Sequence, residues 1–190
     1  VGLLDVLRGR TRQVAPKLDA IFALPTAAVT LETACSIVPS GHGGICFKAS
    51  AQDADANAEI DELLKDDVDP STISRVTDDL GFTWVVVADP DVSSLVTRLH
   101  GADTTLEEHG LGPHLLCAVV GFTDAEGSSG AAPCYLVYLF KQGTFYPFAP
   151  RDGEHRDNEL ELRLRAQLQE DLPIEPDLSR WLALWKLPIG

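Results

Sequence analysis

The chain has no methionine, no CxxC pair among its four cysteines, and few bases: 15 Lys and Arg against 29 Asp and Glu, for a net charge of −14. Each shortage narrows what the protein does. So acidic a balance speaks against nucleic acid, whose binding needs a basic footprint to neutralise phosphates. GxSxG and HExxH are missing as well, so the nucleophile elbow and the zincin helix have no counterpart here. No apolar run approaches the roughly 18 residues of a membrane-spanning helix, and no secretory leader opens the sequence. A cytosolic protein with reduced thiols is the expectation. Val1 is read as a non-ATG start or as the residue left by a missing initiator.

What is present is ordinary for a globular protein, with 45% hydrophobic and 23% charged residues over 190 positions. That length predicts one domain able to bury a full core without staples. Three zones stand out. Residues 1–14 form a basic arm in which Leu3, Leu4 and Leu7 give a short helix one apolar stripe, followed by Arg8, Arg10 and Arg12. Residues 15–172 are the body. Residues 173–190 are a tail rich in proline and tryptophan, with a short helix expected from about Asp177 that places Trp181 and Trp185 on one face.

Within the body, "APKLDAIFALP" predicts a helix stopped by Pro25. The cluster Ser40-Gly41-His42-Gly43-Gly44 predicts a turn before a strand over 44–49. "QDADANAEIDELLKDDVDP" reads as an acidic surface helix with Ile60, Leu63 and Leu64 inward. Two strands follow around Gly81, the second with the β-branched run Val85-Val86-Val87 of a strand covered on both faces. Asp91 is a candidate N-cap for a long helix that ends at Gly110. Strands recur in "HLLCAVVGFTD", "CYLVYLFK" and "FYPF", the last after a Lys141-Gln142-Gly143-Thr144 hairpin turn. Tyr135, Val137 and Leu139 alternate with Leu136, Tyr138 and Phe140, so that strand is apolar on both faces and needs a second cover. Pro147 and Pro150 place the next segment at an edge or in a loop. Asp157 or Asn158 caps a last helix with Leu160, Leu164, Leu168 and Leu172 inward. On its surface, Glu159 with Arg163 and Glu161 with Arg165 are expected as charge pairs.

No constellation in the sequence assembles chemistry. His42 with Cys46, and His109 with His114, have spacings that can hold a metal but lack a specific motif. The "SGHGG" loop is glycine-rich like a phosphate cradle, yet no Lys-Ser/Thr and no helix follow it. The acidic doublets Asp66-Asp67, Asp78-Asp79 and Glu107-Glu108 point in different directions and read as solvated faces. No catalytic residue, cofactor or metal is expected. The recognition candidates are the two ends: Leu3, Leu4, Leu7, Arg8, Arg10 and Arg12 in the arm, Trp181 and Trp185 in the tail. The arm also suits weak contact with an anionic membrane surface. A cleft beside Tyr146, His155 and Arg156 is the remaining place for an enzyme or a small-ligand binder.

The segments "GLLDVLRGR", "LDAIFALPTAAVTLE", "GFTWVVV", "LEEHGLGPHLLCAVVGF", "YLVYLFKQGTFYPFAP" and "RDNELELRLRAQLQEDLPIEPDLSRW" resemble the PspA-associated protein family of the PspAB type. The resemblance runs from Gly2 to about Trp185 and is weakest between Ala49 and Val76. It implies a cytosolic accessory protein of envelope (phage-shock) stress, acting beside PspA, a coiled-coil protein of stressed inner membranes. It carries over no catalytic residues. The order of elements is similar to the secretion-chaperone plan, an α+β fold with an antiparallel sheet covered by helices that often forms a homodimer. A non-enzymatic adaptor working by protein recognition is the leading expectation.

Overall fold

A computed structural model describes residues 15–48, 73–125, 133–152 and 154–189. The basic arm and the acidic helix expected around Ile60, Leu63 and Leu64 lie outside the described residues. The fold is α+β, as expected: a six-stranded sheet, antiparallel at every pairing, in the order β2-β3-β1-β4-β5-β6. The strands are β1 (Ile37–Phe47), β2 (Ile73–Thr77), β3 (Thr83–Ala88), β4 (Leu115–Asp124), β5 (Cys134–Leu139) and β6 (Thr144–Phe148). Among the described residues three helices pack with them, α1 (Leu24–Cys35), α2 (Val92–Glu108) and α3 (Asn158–Leu168), and a small ribbon of β7 (Pro150–Arg151) and β8 (His155–Arg156) precedes α3.

Period-two alternation divides the strand residues between two apolar layers. Ile45, Val85, Val120, Leu136 and Tyr138 face the helices, where Leu31, Leu95, Leu99, Leu164 and Leu168 are buried against them. Cys46, Trp84, Cys117, Val119, Val137 and Tyr146 face the other way and meet the C-terminal tail. The second cover that β5 demanded is therefore the chain's own end.

Several caps behave as the sequence predicts. Asp91 accepts the Ser94 amide at 2.7 Å and starts α2. Asp157 accepts the Leu160 amide at 3.0 Å and starts α3. These hydrogen bonds to the charged form hold both carboxyls below the usual range. Gly81, Gly110 and Gly143 all have φ between 71° and 79°, the left-handed turn geometry expected at each place. β6, with Pro147, is the sheet's edge.

Two expectations are overturned. Pro25 does not stop a helix. A 3-10 turn (Asp19–Ala23) runs directly into α1, in which Pro25 occupies the first turn, where its missing N–H has no intrahelical acceptor to lose. Nor is "SGHGG" a turn before a strand: it lies inside the 11-residue β1, which shifts register against β4 between Pro39 and Gly43. Close approach explains its glycines. A Cβ on Gly43 would sit 3.0 Å from Leu99 Cδ1 of α2, and one on Gly44 3.2 Å from the Val85 carbonyl and 3.3 Å from Ile189 Cδ1. The strand is thus pressed by a helix on one face and by the tail on the other.

Candidate functional site

The tail leaves α3 and returns across the second face of the sheet. Pro173 and Glu175 hydrogen-bond the two sides of Phe145 at 2.9 and 2.8 Å, extending the β6 edge by a short parallel pairing at Ile174. Glu175, 1% exposed, then organises the turn. Its carboxylate accepts the Thr144 hydroxyl at 2.7 Å and the Asp177 amide at 3.0 Å, and its carbonyl accepts the Trp181 indole N–H at 3.0 Å. Arg180 closes the loop with an ion pair to the same carboxylate at 3.3 Å.

The helix expected from Asp177 is only a single 3-10 turn (Leu178–Arg180). Asp177 does cap it, through the Ser179 amide and hydroxyl, but the next carbonyls, of Trp181 and Leu182, accept from Arg156 and Tyr146 rather than from amides of a following helical turn. Trp181 and Trp185 nevertheless reach the same sheet face. Trp181 stacks on Tyr146 with ring centroids 5.9 Å apart, and Trp185 meets Phe148 edge-on at 5.3 Å. Trp181 is buried and Trp185 half-buried. The other recognition candidates, Leu3, Leu4, Leu7, Arg8, Arg10 and Arg12, lie outside the described residues.

Arg156 and Glu161 join this roof to α3. Arg156 Nε donates to Glu161 Oε1 at 2.9 Å, its Nη1 donates to the Trp181 carbonyl, and its guanidinium lies 5.3 Å from the centre of the Phe148 ring. Glu161 also accepts the Ala149 amide at 2.9 Å. The expected Glu161–Arg165 surface pair is overturned: Glu161 is 3% exposed and pairs inward with Arg156. The Tyr146 hydroxyl donates to the Leu182 carbonyl at 3.0 Å, and burial pushes the phenol's pKa up. Tyr146 and Arg156 thus both bind the tail's backbone, while His155 is exposed and its ring faces the Asp152 carbonyl at 3.2 Å.

Between roof and sheet lies a cavity of about 580 Å³. Tyr146 borders it; His155 and Arg156 do not. Its floor is the cross-strand pair Cys46 and Cys117, with Trp84, Leu116 and Leu139 around them. A hydrogen bond with Cys46, together with burial, pushes the Cys117 thiol well up, so Cys117 adds a protonated, apolar sulfur to that floor. Walls come from Phe82 of the β2–β3 turn and from Leu184, Trp185 and Leu187 of the tail. Three cations stand among the lining residues: Lys141, Arg180 and Lys186. Among the described residues lining the cavity, Asp78 is the one carboxylate. Its Oδ1 accepts the Leu80 and Phe82 amides at 3.0 and 2.9 Å, and its Oδ2 the Trp84 indole N–H at 3.1 Å.

The histidine–cysteine spacings do not converge. His42 and Cys46 are four residues apart on one strand, opposite Ala88 and Trp84 respectively, a separation of about 13 Å along β1. The His42 ring faces the Ser40 carbonyl at 3.1 Å. Among the described residues, no group of three or more His, Cys, Asp or Glu could hold a metal ion. Nor is any helix among them long and apolar enough to cross a membrane.

Sequence reasoning missed the cavity, because it needs residues from five strands and the tail. It also missed Asp103, which is 0% exposed on α2, with Oδ1 3.3 Å from His100 Nδ1 but without the geometry of a hydrogen bond. Burial pushes this carboxyl up to about 8.

No curated protein and no solved structure matches the chain. A family model described as PspA associated protein B matches residues 1–189. With essentially its whole length matched, the chain belongs to the PspA-associated protein B family.

Proposed function

We propose that the protein is a non-enzymatic accessory factor that recognises a protein partner, a PspA-like component of membrane stress, in the cytosol beside the inner membrane. Its family description supports the pathway. The observation that carries protein recognition is the outer face of α1 with the turn before it. Phe22, Thr26, Val29 and Thr33 follow one another at helical spacing, all exposed and all uncharged, with Phe22 and Val29 47% and 60% exposed. On a chain of net charge −14, an uncharged stripe with two large apolar side chains is where a partner helix would find least desolvation cost. The half-buried Arg156 and the buried Glu161 and Glu175 hold the tail in place, which further favours a structural over a catalytic reading.

The test is direct binding of a purified PspA protein from the same cell. Val29→Glu should weaken binding at least tenfold while leaving the circular dichroism spectrum unchanged. Removing residues 1–12 in a parallel sample measures what the arm adds. If the full chain captures no PspA protein, the reading fails.

A further inference from the structure

We propose that the cavity between the sheet and the tail binds one long-chain fatty acid. Its acyl chain lies over the Cys46–Cys117 floor and its carboxylate is held by the rim cations. The site is independent of the α1 surface and of the partner assigned above.

Size, wall chemistry and charge all point this way. At about 580 Å³ the cavity falls inside the roughly 300–1,000 Å³ range of small-molecule sites. That is room for one chain rather than for a two-chain lipid. Its polar groups are largely committed elsewhere: the Tyr146 hydroxyl to Leu182, Asp78 to its own turn, the Ser179 hydroxyl to Asp177. An interior of carbon and buried cysteine sulfur rewards a hydrocarbon and offers a polar metabolite little to bond.

The rim is different. Lys141 and Lys186 are exposed and pair with no carboxylate among the described residues. Arg180 lies with them, 51% exposed, but its charge is shared with Glu175 and Asp177, so the two lysines carry the positive rim. A positive rim around an apolar cavity, on a protein with 29 acidic and 15 basic residues, is complementary to an anionic amphiphile. The same charges disfavour the chain's own arm as occupant, since Arg8, Arg10 and Arg12 would be brought against them.

Titration calorimetry of the full chain with dodecanoate, octanoate and dodecanol, each below its micelle concentration, tests the proposal. Dodecanoate should bind at one site per chain. Each buried methylene is worth roughly fourfold in affinity, so octanoate should bind at least tenfold more weakly. Reversal of both rim lysines, Lys141→Glu with Lys186→Glu, should weaken dodecanoate at least fivefold and leave dodecanol unchanged. Leu116→Trp, which fills the cavity from a half-buried floor position, should abolish binding of both. Absence of saturable binding overturns the proposal, as does equal affinity for dodecanoate in the wild type and the lysine double variant. Tenfold or greater tightening on removal of residues 1–12 overturns it too, because the arm is then the natural occupant.

Discussion

Two buried acids show how a single side chain departs from what its neighbours predict. Asp103 lies on the same stripe of α2 as Leu95, Val96, Leu99 and Leu106, and Glu161 on the stripe of Leu164 and Leu168 in α3. Both positions are in phase with an apolar face, although the sequence reading leaves Asp103 out of the stripe and puts Glu161 on the surface with Arg165. What they meet there depends on the fold: Glu161 reaches the Ala149 amide and Arg156 of the β7–β8 ribbon, while Asp103 Oδ2 has no hydrogen-bond partner among the described residues. Asp103 carries a pH prediction. Burial is the largest influence on its carboxyl and raises it from 3.8 to about 8; Glu107 and Asp19 push the same way, and the Thr104 hydroxyl opposes them. The folded state therefore holds this proton more tightly than the unfolded chain does. Its contribution to stability is complete below about pH 4, falls as pH rises through the window, and is lost by about pH 8. Asp103→Asn removes that slope. Urea midpoints at pH 5 and pH 8 should show the variant gaining on the wild type at the higher pH. The reverse order would mean that the fold holds the carboxylate form.

At the scale of elements, periodicity located most strands and helices, and capping residues fixed the starts of α2 and α3. Failures came where a residue type has two meanings. Proline both ends and begins helices, and the first-turn role of Pro25 depends on the 3-10 turn that feeds α1. Glycine marks turns, but Gly43 and Gly44 are set by what presses on β1 from Leu99 and Ile189. The link between α3, the β7–β8 ribbon and the tail was beyond sequence reading, since Arg156 bridges Glu161 and the Trp181 carbonyl across 25 positions. Removing one partner of such a pair leaves the other buried and uncompensated, a loss of about 3–5 kcal/mol. Glu161→Ala strands both the Arg156 guanidinium and the Ala149 amide. Chemical denaturation should show a loss of about 3 kcal/mol, whereas Glu159→Ala, an exposed neighbour, should change stability by less than about 0.5 kcal/mol. Equal effects of the two substitutions would remove Glu161 from this role.

For the whole molecule, the sheet carries two apolar layers, and among the described residues the helices cover one and the tail meets the other. The sequence announced the second layer through β5, whose two faces are both apolar, and announced the fold class through its order of elements. It did not announce the cavity, because a space between a tail and a sheet has no letters of its own. If the tail completes the fold, ending the chain after Glu175 should expose Trp84, Val119, Val137, Tyr146 and Phe148 together. An apolar surface of that extent on one face drives self-association. Loss of the Trp181 packing alone is worth about 3–5 kcal/mol, and in a domain of this size 1 kcal/mol shifts the melting temperature by about 2–4 °C. The truncated protein should therefore melt at least about 6 °C lower, bind an apolar dye strongly, and elute larger than a monomer on size exclusion. A truncation that melts, stains and elutes like the full chain would make the tail an appendage, and the cavity beneath it an accident of where that appendage rests.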